Sequence, residues 1–165
     1  MTATWTLPRT WSTGELATAA LLNQHLRDNL DWLKAPPVSV YTPSANASTT
    51  STSFVSTGWQ VTFNSAGGGF LCWLRTVQLA STGSYGQYDI EVDGTRQGAS
   101  YPWGLGLSYH VTGAGYQLVT LMHYVPPLSV GSHTFKLMFS VSGTGSLALQ
   151  AGTATARSEF GVREI

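Results

Sequence analysis

The sequence predicts a mainly β protein: an N-terminal α-helix followed by a single antiparallel β-sandwich of jelly-roll type. Three observations carry that prediction. From Phe54 onward, apolar and polar residues alternate with a period of two. Clusters of Gly, Pro, Asn and Asp cut this region into short runs. Ahead of it, only the stretch from Thr13 to Lys34 has the longer period of a helix.

In that stretch Ala19, Leu22, Leu26, Leu30 and Leu33 recur at steps of 3, 4, 4 and 3, which makes one apolar stripe. Thr18 is placed to cap the start, and Pro36-Pro37 stops the helix. From Thr18 to Lys34 it would run roughly 25 Å at about 1.5 Å per residue. Such a stripe has to bury against something. It packs either on its own domain or on the stripes of other chains in a short bundle. The seam covers little more than two heptads, so a bundle needs help from the rest of the chain.

Residues 1–37 therefore form an arm and helix for attachment or oligomerisation. Residues 38–53 read as a linker, although Val38 to Tyr41 has the pattern of a first strand. Thr42 to Ser53 is a low-complexity run of Ser, Thr, Ala, Asn and Pro. Asn46-Ala47-Ser48 matches a glycosylation sequon by chance.

Residues 54–165 form the head. Strands are expected near 54–55, 59–63, 70–79, 85–92, 107–111, 116–125, 132–141, 146–150 and 157–163. His133, Phe135, Leu137, Phe139 and Val141 alternate with smaller or more polar residues, so one face is buried. Asp93-Gly94 marks a hairpin, because tight turns need positive φ. Eight or nine short strands at this spacing build a sandwich or jelly roll.

Two strands are apolar on both faces. Phe70, Cys72 and Leu74 oppose Leu71, Trp73, Val77 and Leu79. Tyr116, Leu118, Met122 and Tyr124 oppose Val119, Leu121 and Val125. A half-exposed strand should show one polar face. The second face is expected to meet another subunit or to lie under a long loop.

Charged residues make up 10% of the chain, while Ser and Thr number 18 and 21. The net charge is zero, so there is no footprint for nucleic acid or acidic lipid. No apolar run approaches the roughly 18 residues of a membrane span, and the N-terminus lacks the pattern of a secretory signal. Cys72 is alone and reads as a buried small hydrophobe.

The run Leu7-Pro8-Arg9-Thr10-Trp11-Ser12-Thr13-Gly14-Glu15, with Thr18 to Leu30 after it, resembles an N-terminal segment of tailed-phage and prophage virion proteins of the tail-fibre-like kind. The resemblance covers about the first 34 residues. It implies virion attachment or trimer assembly, release by lysis, and no particular chemistry. On this reading Trp5 and Trp11 dock on a neighbouring chain or virion component, or else fold back on the helix. Near the C-terminus, Leu128-Ser129-Val130-Gly131-Ser132-His133-Thr134-Phe135 and the closing Phe160-Gly161-Val162-Arg163-Glu164 are loosely similar to trimeric jelly-roll heads.

Asp89, Glu91 and Asp93 share one strand face at about 7 Å steps. They could seed a calcium site, but an ordinary solvated face with Arg96 nearby is the expectation. His25, His110, His123 and His133 show no metal-ligand spacing and are expected to be structural. Gly143-Thr144-Gly145-Ser146-Leu147-Ala148 fits a G-x-G-x-x-A string, but a strand follows where a dinucleotide site needs a helix. No nucleophile elbow, phosphate loop or zinc-protease string occurs. No catalytic residue, metal or cofactor is assigned.

The expectation is a homotrimeric virion structural protein, serving as tail fibre, baseplate appendage or capsid decoration, with a sandwich head for host attachment. Trp5, Trp11, Leu22, Leu26, Leu30 and Leu33 are assigned to oligomerisation and attachment. Tyr101, Trp103 and Tyr109 are the candidate contacts to a host surface glycan or protein, or else their loop covers the sandwich core or a subunit interface. The alternative is a carbohydrate-binding module without catalysis.

Overall fold

The structure, a computed structural model, describes residues 5–81, 84–109, 115–152 and 157–165, with only the backbone for Tyr109. The N-terminal helix comes in three parts: α1 (Ala19–Leu22), a π turn (Asn23–Arg27) and α2 (Asp28–Lys34). The Thr18 hydroxyl accepts from the Leu21 amide at 3.3 Å, as a cap should. π turns inside α-helices often mark functional positions. This one lies in the middle of the leucine stripe.

Among the described residues eleven strands follow: β1 (Val38–Tyr41), β2 (Ala47–Thr49), β3 (Val55–Ser65), β4 (Phe70–Ala80), β5 (Tyr85–Val92), β6 (Thr95–Arg96), β7 (Gly106–Tyr109), β8 (Gly115–Val125), β9 (Gly131–Val141), β10 (Leu147–Gln150) and β11 (Glu159–Glu164). They form two antiparallel sheets. In the first, β8 pairs with the full length of β4. β11 and β10 share the other side of β4, with β1 beyond β11 and β2 beyond β10. In the second, the order is β3, β9, β5, with β6 and β7 sharing the far side of β5. The long strands β3, β4, β5, β8 and β9 lie in alternate sheets, except where β5, β6 and β7 stay together.

The linker reading of 38–53 needs correction. β1 and β2 lie within that stretch, and both are hydrogen-bonded into the first sheet. Thr is a good strand former, and Ala47 is small enough to be buried where β2 meets β10. The expected strands 54–55 and 59–63 are one strand. β3 bulges between Ser56 and Gln60, where Gly58 takes φ +80°. Thr57 holds the bulge by donating to the Leu137 carbonyl at 2.9 Å. The Asp93-Gly94 turn is as expected, with φ 48° and 86°. The end of the expected strand 107–111 lies outside the described residues.

The core sits between the sheets. Phe70, Cys72 and Leu74 of β4 face Phe135, Leu137 and Phe139 of β9, all essentially inaccessible to solvent. Phe70 rings against Phe63 at 5.1 Å and Phe135 at 5.0 Å, in the tilted arrangements aromatic pairs prefer.

Candidate functional site

The helix keeps its leucines off its own domain. Leu22, Leu26, Leu30 and Leu33 are 39–63% exposed. Asn29 and Trp32 are buried instead. The arm covers that side. Trp5 packs on Trp32 at 5.3 Å, and Asn29 makes paired hydrogen bonds with the backbone N–H and C=O of Thr6, each 2.9 Å. Trp5 thus folds back on the helix. Trp11 stays more exposed, with the Arg9 guanidinium over its ring at 4.8 Å.

The two sheets differ on their outer faces. The second sheet shows Gln60, Thr62, Asn64, Ser132 and Lys136, the polar face expected of a solvated sheet. The first sheet is apolar. Tyr116, Leu118, Met122 and Tyr124 of β8 are 50–73% exposed. Their partners on β4 are Leu79, Val77, Trp73 and Leu71, all only half-buried. Exposed Val38 and Val40 extend the surface through β11 to β1. Two places break it: the row where Thr120, Arg75 and Glu159 lie side by side, and exposed Arg163 between Val38 and Leu71. Glu159 also accepts from the Trp73 indole N–H at 3.1 Å. Gly161 sits under the Trp73 ring, where any Cβ would collide with it.

Ten residue steps along β8 span about 34 Å, and three strand spacings about 14 Å. The face is therefore about 500 Å², near the upper end of what monomers expose and below the ≈ 800 Å² a stable interface takes from each partner. The leucine stripe adds to it. Among the described residues β8 pairs with β4 alone, so this long apolar strand is also a sheet edge. Edges of that kind are normally covered or charged.

The three carboxylates of β5 and its turn do not form one site. Asp89 is fully buried rather than solvated. It accepts from Arg96 Nε at 2.7 Å, from the Ile90 amide at 2.7 Å and from the Gly98 amide at 2.9 Å. Glu91 pairs with Lys136 at 2.9 Å, and Asp93 with His133 at 2.6 Å. No group of three or more metal-ligating side chains occurs among the described residues. His25 lies near the Thr6 hydroxyl. His123 is partly buried, and desolvation holds its pKa below the ordinary value. His110 lies outside the described residues.

The aromatic loop sits elsewhere. Tyr101 and Trp103 are exposed, and Trp103 lies 6.4 Å from the Tyr85 ring. Beneath them the backbone is tightly tied. Tyr101 N donates to Gly98 O, Gly104 N to Tyr101 O and Leu105 N to Tyr88 O, at 2.9, 3.2 and 2.8 Å. Gly104 takes φ +68° and has no room for a Cβ against the Tyr88 carbonyl. The Tyr109 backbone pairs with Tyr85, at one end of the β5–β7 ladder.

No family model matches the chain, and no curated protein matches it in sequence. Among solved structures, a chain in the structure of infectious bursal disease virus, Gx strain, shows similarity at a TM-score of 0.40 and 16% identity. The match covers 78% of this chain and 35% of that one, so this chain spans about a third of the viral chain's length. No described helix is long and apolar enough to cross a membrane.

Proposed function

We infer that this chain is a non-catalytic virion structural protein that works as a homotrimer. The arm and helix align and attach it, and the sandwich is the displayed head. The observation that supports this most is the apolar outer face of the first sheet, set against the polar outer face of the second. A monomer gains nothing from exposing Leu118, Met122 and Tyr124 in register with Val77, Trp73 and Leu71. Two further copies can cover it around a threefold axis, and Arg75 beside Glu159 offers both charges for pairing between neighbouring copies.

The tailed-phage reading draws on the N-terminal string from Leu7 to Leu30. Tail fibre, baseplate appendage and capsid decoration would all use this arrangement. In each, three modest contacts act together at high effective concentration. The partners are further copies of the chain, other virion proteins and a host surface.

Two measurements test the reading. Light scattering on the full chain gives the oligomer. Peptide mass spectrometry on purified particles from a strain carrying the gene tells whether the protein is in the virion. A monomeric mass would return the chain to the carbohydrate-binding module. Absence from particles would remove the virion role.

A further inference from the structure

The segment from Gln97 to Leu105 ties β6 to β7, but its outward rings have no role in that folding. It places its two largest side chains, Tyr101 and Trp103, in solvent at 62% and 50% exposure. Yet its base is held by a set of backbone and side-chain hydrogen bonds. Asp89 organises it. One carboxylate oxygen takes the Gly98 amide, the other takes Arg96, and the Arg96 guanidinium carbon lies over the Phe54 ring at 3.9 Å. A rigid base under exposed rings is the arrangement that makes binding efficient, because little side-chain and loop freedom remains to be lost.

Position adds to this. The helix joins β1 at the end of the sandwich where β4 begins. β4 then runs from Phe70 to Ala80, and Tyr85 starts β5 at the opposite end. Ten steps of β4 place Tyr85, and Trp103 tilted beside it, about 33 Å from the attachment end. The rings belong to the polar-faced sheet, away from the apolar face of β8 and β4.

Charge selects the ligand class. None of the residues from Gln97 to Tyr109 is Asp, Glu, Lys or Arg. The polar groups on offer are Gln97, Ser100 and the tyrosine hydroxyl, which hydrogen-bond without charge. Flat rings with an uncharged polar rim suit the apolar face and hydroxyl edge of a pyranose.

We propose that Tyr101 and Trp103, backed by Tyr85, form a binding shelf for a neutral sugar ring of a surface glycan. This adds a ligand class to the attachment role inferred above, and rests on that role only for the direction of display.

The test is a panel of immobilised neutral and acidic oligosaccharides probed with the full chain, then isothermal titration with the best neutral sugar. The same titration is run on Trp103→Ala and Tyr101→Ala. The expected result is binding to neutral sugars, weakened about tenfold by either substitution, which corresponds to about 1.4 kcal/mol. Melting temperature and oligomer mass should not change, because both side chains are exposed. Three results would overturn the shelf: no neutral sugar bound, binding unchanged in Trp103→Ala, or a change in oligomer mass in that variant, which would make the rings a subunit contact. A trimer that binds no neutral sugar removes the shelf and leaves the structural role. A monomer that binds through Trp103 keeps the shelf and removes the trimer.

Discussion

His133 Nδ1 lies 2.6 Å from Asp93 Oδ2, while its Nε2 lies 2.8 Å from the Ser129 carbonyl oxygen. Neither a carboxylate nor a carbonyl can donate, so this geometry suits the imidazolium, in which both ring nitrogens donate. The Asp93 bond is the main reason the His133 pKa rises above its ordinary 6.5, and the Ser129 carbonyl adds to it. The same bond, with the Thr134 amide, holds Asp93 below its ordinary 3.8. The pair clips the β5–β6 turn to the start of β9.

Stability should follow this pair with pH. The imidazolium's contribution is complete below 6.5 and is lost as pH climbs through the raised value. The carboxylate's contribution is present above 3.8 and is lost as pH falls through the lowered one. The clip is strongest between the two. Melting curves across pH should show a decline on the alkaline side that His133→Gln lacks. An identical profile in the variant would rule the clip out as the cause.

Removing Arg96 should cost far more than removing a surface charge. Asp89 is fully buried, so Arg96→Ala strands a carboxylate beneath the aromatic loop. The expected loss is about 3 kcal/mol in urea unfolding. Asp89→Asn added to Arg96→Ala should recover part of it, since the stranded charge is gone.

Gly161 is fixed by a neighbour rather than by its backbone. A methyl there would collide with the Trp73 ring. Gly161→Ala should push the indole away from Glu159 and destabilise the chain by about 1–3 kcal/mol. A red or blue shift of tryptophan emission should accompany the loss. A variant as stable as the parent would mean that Trp73 moves freely on this face.

Cys72 should be inert. Burial pushes its thiol up to about 12, and the thiolate is the reactive form. A thiol reagent at neutral pH should label it only after denaturant is added. Rapid labelling of the native protein would show that β4 opens.

Much of the fold was legible because period-two patterning is strong where one face is buried. β5, β8 and β9 lie within a residue or so of their expected places. The twofold apolar pattern of β4 and β8 also marked the surface that proves exposed, because a strand with no polar face has no side to give to water. Other features left weaker traces. β2 hides in a Ser/Thr run whose pairing partner is 100 residues away. The burial of Asp89 could not be read from its alternation with Ile90 and Val92, since that pattern equally fits a solvated face. Its signal was the nearby Arg96 and the glycine at 98. The leucine stripe was visible, but its orientation depends on Trp5 and Asn29 covering the opposite side of the helix.

The central claim is self-association through the first sheet's outer face. Light scattering on the full chain, beside Leu118→Glu/Met122→Glu, tests it most directly. The account predicts three times the 17.6 kDa of one chain for the parent and a single-chain mass for the variant, with the sandwich still folded by circular dichroism. A parent of 17.6 kDa, or a variant that stays trimeric, would contradict it.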